Sequence, residues 1–201
     1  MSLFSKIFGK KQPEPAWKSK WEDNDRFLSG RVDKFEILEK YLGKAPASIL
    51  DIGCGLAIEA GLFQQKHDTE LYLLDGDFEQ NSKSQDRDVG FGEVDNMQFY
   101  LPVSYLKSKW DERGMKYHFL DANNLHIEED VCFDVIWSFK SCGFHYPLSA
   151  YSDLIRSHSS PDTRLIFDIR ADSELDPSFN ATVISKLIEW EKGFTAEIRL
   201  N

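Results

Sequence analysis

Ser48-Ile49-Leu50-Asp51-Ile52-Gly53-Cys54-Gly55-Leu56-Ala57 is the stretch on which the fold turns. Ser48 to Ile52 is a short apolar run that meets a glycine pair, the pattern of a buried strand entering a tight turn. Ala57 to Lys66 then reads as a helix. A strand, a glycine-rich turn and a helix in succession make a ligand cradle. Gly53 and Gly55 lack a Cβ, so a ligand can come close to the backbone. The start of the helix presents free N–H groups, which suit a carboxylate.

Outward from this stretch the chain alternates. Trp21 to Leu42 is helical in pattern, with Phe27, Phe35, Leu38 and Leu42 recurring at helix-like spacing and Gly43 as a stop. Glu70 to Leu74 reads as a second strand ending in Asp75-Gly76-Asp77. Phe78 to Asn96, rich in Asp, Ser, Gln and Gly, reads as a long loop of the kind that often carries function. Val103 to Arg113 reads as a helix closed by Gly114, and Lys116 to Leu120 as a third strand ending at Asp121. Phe133 to Ser138 is a fourth strand, Leu148 to His158 a helix and Arg164 to Ile169 a fifth strand. Thr182 to Glu191 reads as a helix and Phe194 to Leu200 as a last strand. This alternation predicts an α/β domain with a doubly wound, mostly parallel sheet and helices on both faces. Two prolines in Gln12-Pro13-Glu14-Pro15 block a helix there. Residues 1–20 are therefore expected to form an N-terminal arm, and 21–201 a single domain.

The 201 residues suit one domain, and 41% hydrophobic with 13% aromatic residues can supply its core. The net charge of −10, from 34 acidic and 24 basic residues, repels phosphate backbones at long range. Nucleic acid is disfavoured as a partner; small molecules and proteins remain. Cys54, Cys132 and Cys142 fit no zinc template, and their odd count argues against a full disulfide framework. Reduced thiols in a cytoplasmic setting are expected, with buried structural cysteine the commoner outcome than a reactive one. No apolar run is long enough to cross a bilayer. Met1 to Lys11 sets Leu3, Phe4, Ile7 and Phe8 among lysines, a pattern for weak contact with a membrane or a protein partner. A frayed arm is the favoured reading, because so short a helix is marginal alone.

Asp75 stands 20 residues after Gly55 (75 − 55). A carboxylate at the end of a second strand can accept both hydroxyls of a ribose, a device shared with nicotinamide enzymes. Asp77 competes for that role, and a plain turn acid is the bland alternative. A dinucleotide fingerprint wants glycine or alanine where this chain has Ile58. The spacing looks instead like Asp-x-Gly-x-Gly-x-Gly, with Ala57 in the last place.

Asp51 to Ala57, Asp75, Asp121-Ala122 and the Phe133 to Ser138 strand occur in the order and spacing of class I S-adenosylmethionine-dependent methyltransferases, which the chain resembles over residues 30–200. The resemblance implies a seven-stranded sheet with S-adenosyl-L-methionine over the carboxyl ends of the first strands. It implies that Asp121 accepts a hydrogen bond from the adenine amino group and that the Ala122 N–H serves a ring nitrogen; a loop or cap acid is the alternative for Asp121. The cofactor contacts carried over are Asp51, Gly53, Cys54, Gly55, Asp75, Gly76, Asp121, Ala122 and Ser138. The family usually ends in an antiparallel strand pair. Only one strand is legible after the last helix, so the final strand is expected to be missing or replaced.

By the same resemblance, Ser138 to Pro147 lies beside the transferred methyl group. It lacks the Asn/Asp-Pro-Pro-Tyr/Phe motif of amino-methylating DNA enzymes. His145 suits a proton-accepting role toward a hydroxyl acceptor, and Tyr146 could orient that acceptor; the bland alternative is that both pack over the cofactor. Phe91, Phe99, Tyr100, Phe144 and Tyr146 could close over a ring or a sugar. Arg31 could pair with the cofactor carboxylate, although a solvated helix face is the plainer reading. Asp121, Asn123 and Asp168 are oxygen donors without a specific metal pattern, and no metal is expected. The reaction expected is methyl transfer to an oxygen or nitrogen of a small-molecule acceptor, sugar-like ones included. The rivals are a nicotinamide-dependent oxidoreductase and a non-catalytic cofactor-binding or interaction module.

Overall fold

The computed structural model describes residues 25–76, 101–145, 147–171, 175 and 177–201. The N-terminal arm, the proline linker, Asp77, the long loop with its aromatic residues through Tyr100, and Tyr146 lie outside the described residues.

In chain order the elements are α1 (Asp25–Leu42), β1 (Ser48–Ile52), α2 (Ile58–His67), β2 (Glu70–Asp75), α3 (Val103–Glu112), β3 (His118–Asp121) and β4 (Val135–Ser138). A 3₁₀ turn (Leu148–Tyr151) leads into the short α4 (Ser152–Ser157). Then come β5 (Arg164–Arg170), a second 3₁₀ turn (Pro177–Phe179), β6 (Ala181–Trp190) and β7 (Gly193–Leu200). The seven strands form one sheet in the order β3-β2-β1-β4-β5-β7-β6. The first five are parallel, and β7 runs antiparallel to both β5 and β6.

The strands read as continuous apolar runs because both faces of the sheet are covered. On one face Ile49, Leu71, Leu73 and Trp137 pack against Phe35 and Leu38 of α1, Phe63 of α2 and Trp110 of α3. The Phe63 ring lies 4.9 Å from Phe35 and 5.6 Å from Trp137, centroid to centroid. On the other face Leu50, Ile52, Leu74, Ile136 and Phe167 meet Leu148, Ile155 and Phe179. Each fully buried side chain of this size contributes about 1.5–3 kcal/mol relative to exposure.

The C-terminal part corrects the sequence reading. Of Thr182 to Glu191, expected as a helix, all but Glu191 lies in β6, and the final antiparallel strand expected to be missing or replaced is present. The physical reason is a pair of register shifts against β7, between Val183 and Ser185 and between Lys186 and Ile188. Each bulge resets the two-residue alternation. The apolar positions Val183, Ile184, Leu187 and Ile188 then fall at a spacing that imitates a helix.

Candidate active site

Chain order reverses between β1 and β4, which pair directly but continue to opposite sides of the sheet. Such a switch point opens a crevice at the carboxyl ends of the two strands. Residues 53–57 form one wall and residues 139–145 the other.

Gly53, Gly55 and Ala57 have φ of +67°, +51° and +46°. The two glycines have different reasons to be glycine. A Cβ on Gly53 would stand 1.9 Å from Ser141 Oγ, so Gly53 is fixed by the opposite wall of the crevice. A Cβ on Gly55 would meet nothing within 4 Å. Both glycines are half-exposed, but the space a Cβ would fill is open at Gly55 and taken by Ser141 at Gly53. The loop is tied down by the N–H groups of Gly53 and Cys54, which donate to Leu74 O at 2.8 and 3.1 Å. Arg113 at the end of α3 adds a bond to Leu56 O at 2.9 Å.

Ala57 occupies the left-handed region directly before α2. An L residue there costs about 1–2 kcal/mol, and glycine gives back less than that in chain entropy. Ala57→Gly is expected to hold or raise stability by up to about 1 kcal/mol. Urea denaturation of the variant checks this, and a clear loss would show that the alanine methyl packs usefully.

Asp75 is buried at the end of β2. Its Oδ2 accepts the Gly55 N–H at 2.8 Å, and its Oδ1 accepts the Gly76 N–H at 2.8 Å. The Cys54 thiol lies 3.8 Å from Oδ2. Burial pushes the Asp75 carboxyl up to about 6, with the two N–H groups pulling the other way. Cys54 is held well above the ordinary thiol range by burial and by the Asp75 charge. Burial likewise raises Cys142, so neither thiol is poised to react.

Asp51 is buried on the α1/α2 face of β1. Burial pushes it up to about 7; Glu59 and Asp75 add to the rise, while the Trp137 indole and Arg31 oppose it. The Trp137 Nε1–H itself makes no hydrogen bond of ordinary geometry. Arg31 is not on a solvated face as expected: it pairs with the buried Glu59 at 2.6 Å. Two carboxyls with raised values fix the sign of a pH effect. The native state retains protons that the unfolded chain has released, so this contribution to stability falls as pH rises from ~4 toward about 7. Asp51→Asn removes the larger part. Relative to the wild type, the variant should become steadily more stable across that window in urea titrations, and a pH-independent difference would contradict it.

Two carried-over contacts are corrected. Ala122 N–H donates to Asp75 O at 2.9 Å, extending the β2–β3 ladder, so it is not open to a ring nitrogen. Ser138 is wholly buried. Its hydroxyl donates to Ile52 O at 2.7 Å and accepts the Cys142 N–H at 2.8 Å, so it stitches the two walls together and faces no ligand. Asp121 sits at the crevice edge with Oδ1 accepting from Asn123 N at 2.9 Å, which is turn-capping geometry on one oxygen.

On the second wall, Lys140 takes φ +55° and Gly143 φ +89°. The Phe144 and His145 rings meet edge to face at 5.1 Å. Burial, Arg170 and Lys140 hold His145 below the ordinary imidazole value, which leaves a neutral ring at pH near ~7. Beneath this wall lies a buried charge pair that the sequence did not reveal. Lys34 Nζ of α1 lies 2.7 and 2.9 Å from the two oxygens of Asp168. Asp168 also accepts from Thr195 Oγ1 at 2.6 Å and from the Lys140 N–H at 3.0 Å. Asp168, noted above as an oxygen donor for a metal, is thus filled from within the protein. Among the described residues no His, Cys, Asp and Glu side chains gather in a group able to hold a metal ion, and no helix is long and apolar enough to cross a membrane.

No protein-family model and no curated protein matches the chain. Solved structures do. The chain is similar to a methyltransferase from Pyrococcus furiosus, at 14% identity over 84% of this chain and 81% of that one, with a TM-score of 0.56. It is similar to a protein from Pyrococcus horikoshii OT3, at 13% identity over 89% and 93%, with a TM-score of 0.60. It is also similar to a ribosomal protein L11 methylase from Lactobacillus delbrueckii subsp. bulgaricus, at 14% identity over 88% and 80%, with a TM-score of 0.53. At these identities the likeness is one of fold, and the fold is that of the class I methyltransferases.

Proposed function

We propose that this protein transfers a methyl group from S-adenosyl-L-methionine to an oxygen or nitrogen of a small-molecule acceptor, sugars included. The observation that carries the reading is Asp75: a buried carboxylate locked by Gly55 and Gly76 N–H groups, beside Gly55, where the space a Cβ would fill is open. Each carboxylate oxygen has a second lone pair. Asp75 can therefore accept the two hydroxyls of a ribose without releasing the loop, and the residues present fit the nucleoside part of the cofactor.

When bound, that cofactor supplies a methyl group on a sulfonium, whose sulfur keeps the electron pair of the broken carbon–sulfur bond. The protein supplies position and a proton acceptor. Gly55 leaves room along the crevice, and the free oxygen of Asp121 is available to an amino group. His145, neutral near neutral pH, takes the proton from the acceptor O–H or N–H. Ser138, Ser141 and Asp168 fix the spacing of the two walls. The acidic surface weighs against a nucleic-acid acceptor.

Calorimetric titration of the full chain with S-adenosylhomocysteine, beside NAD, tests the reading. Micromolar binding of the first and none of the second is expected. Folded protein that binds neither, or that prefers NAD, would remove the basis for methyl transfer.

A further inference from the structure

We infer that Arg113 is a positioning residue for the cofactor loop. Its bond to Leu56 O latches the Leu56–Ala57 peptide in the orientation from which α2 starts, so the loop is already formed when the cofactor arrives. The word cofactor rests on the methyl-transfer reading; the latch rests on this chain's own bonds.

The loop needs a latch because Ala57 has φ +46° and ψ +42°. An alanine left to itself moves to negative φ, and a strained residue of this kind persists only where its surroundings hold it. A peptide unit is planar and turns as one plate. Returning Ala57 to negative φ therefore rotates the whole Leu56–Ala57 plate, and that plate is held on both sides. Its N–H, that of Ala57, donates to Cys54 O at 2.8 Å. Its C=O, that of Leu56, accepts from Arg113 Nη1 at 2.9 Å. Rotation breaks both bonds. The first lies within the loop and moves with it. The second comes from a residue 57 positions away, and a guanidinium donor makes the stronger kind of bond. Helix α2 depends on the same orientation, since the Gly61 N–H donates to Ala57 O at 2.8 Å.

Arg113 is itself anchored. Its N–H is shared between Lys109 O at 3.3 Å and Trp110 O at 3.2 Å, and Trp110 is wholly buried. Gly114, at φ +67°, closes α3 with its N–H on Asp111 O at 2.9 Å. The turn beyond is bolted to the middle of α2. The Lys116 N–H donates to Gln64 Oε1 at 2.7 Å, and Gln64 Nε2 donates back to Lys116 O. A Cβ on Gly61 would stand 3.0 Å from Met115 Sδ, so helix and turn are in contact. From this fixed point Arg113 reaches forward to the loop ahead of α2. Leu74 O and Asp75 hold residues 53–55, and Arg113 holds residue 56. Gly55 lies between the two sets of ties. A loop fixed on both sides of Gly55 loses no affinity to ordering on binding.

The test combines calorimetric titration with S-adenosylhomocysteine and amide hydrogen exchange by NMR, both on the full chain. Arg113→Ala is expected to raise the Kd about tenfold and to speed exchange at Ala57 about tenfold. Exchange at Ile49 in β1 reports any general loss of stability in the same sample. Arg113→Lys can still donate to Leu56 O and should recover most of both effects. Gln64→Ala loosens the turn from α2 without touching Leu56, so it should lower the urea midpoint and leave Kd unchanged. Glycine takes a positive φ freely, so in an Ala57→Gly background the Arg113→Ala change should alter Kd by less than about threefold. Wild-type affinity in Arg113→Ala, equal losses in the alanine and glycine backgrounds, or a Gln64→Ala loss matching that of Arg113→Ala would overturn the latch. If the folded wild type binds no S-adenosylhomocysteine, exchange still decides. Faster exchange at Ala57 with Ile49 unchanged in Arg113→Ala would sink methyl transfer and leave the latch standing; unchanged exchange at Ala57 would sink the latch.

Discussion

Asp75→Ala is expected to abolish measurable S-adenosylhomocysteine binding, a loss of at least about 100-fold or 2.7 kcal/mol. Two effects add. The ribose hydroxyls lose their acceptor, and a hydrogen bond to a charged group contributes about 1.5–3 kcal/mol. The Gly55 and Gly76 N–H groups lose theirs as well, so the loop that leaves room for the cofactor keeps its ties to Leu74 O and Arg113 but loses the one at Gly55. Asp75→Asn separates the effects in part: its amide oxygen can keep one N–H, while its NH₂ faces the other donor. Binding to the wild type should also weaken as pH falls through about 6, where the free carboxyl takes up a proton and ceases to be a full acceptor. Calorimetry at several pH values reads both. Affinity for Asp75→Ala within threefold of the wild type, on a folded variant, would place the cofactor elsewhere.

The parallel half of the sheet was legible because its strands are short apolar runs, the first three of which end at glycine or aspartate, with helical patterns after β1, β2 and β4. Residues 48–57 state strand, turn and helix in ten letters, and the structure follows them closely. The antiparallel half was not legible: β6 carries two bulges, and periodicity cannot separate a twice-bulged strand from a helix. Site residues divide along a similar line. Asp75 could be placed because a strand end fixes its position. The partners of Ser138 and Ala122 could not, because whether a hydroxyl or an N–H is spoken for depends on a neighbouring strand. The Arg31–Glu59 and Lys34–Asp168 pairs join residues far apart in sequence, and nothing local in either helix or strand announces them. Alternation of the helices and strands gave the layers; only packing gave the charges between them.

The largest stability loss is expected from Asp168→Ala. The Lys34 ammonium would be left buried, facing the Phe139 ring at 3.8 Å and the Trp190 ring at 5.8 Å. Ring faces attract a cation by about 0.5–2 kcal/mol, far less than a desolvated charge requires. Burial already holds Lys34 below the ordinary lysine value even with Asp168 opposing it. The Thr195 hydroxyl and the Lys140 N–H would lose their acceptor in the same step. Removal of one member of a buried pair costs about 3–5 kcal/mol, which approaches the whole stability of many domains. Lys34→Met should fall at the lower end of that range, because Asp168 keeps two hydrogen-bond donors. Lys34→Met/Asp168→Leu leaves no isolated charge, so it should lose less than the two single losses combined, a coupling readable in a double-mutant cycle by urea denaturation. Single losses below about 1 kcal/mol, with additive behaviour in the double variant, would mean that water reaches the pair and that α1 does not brace the crevice.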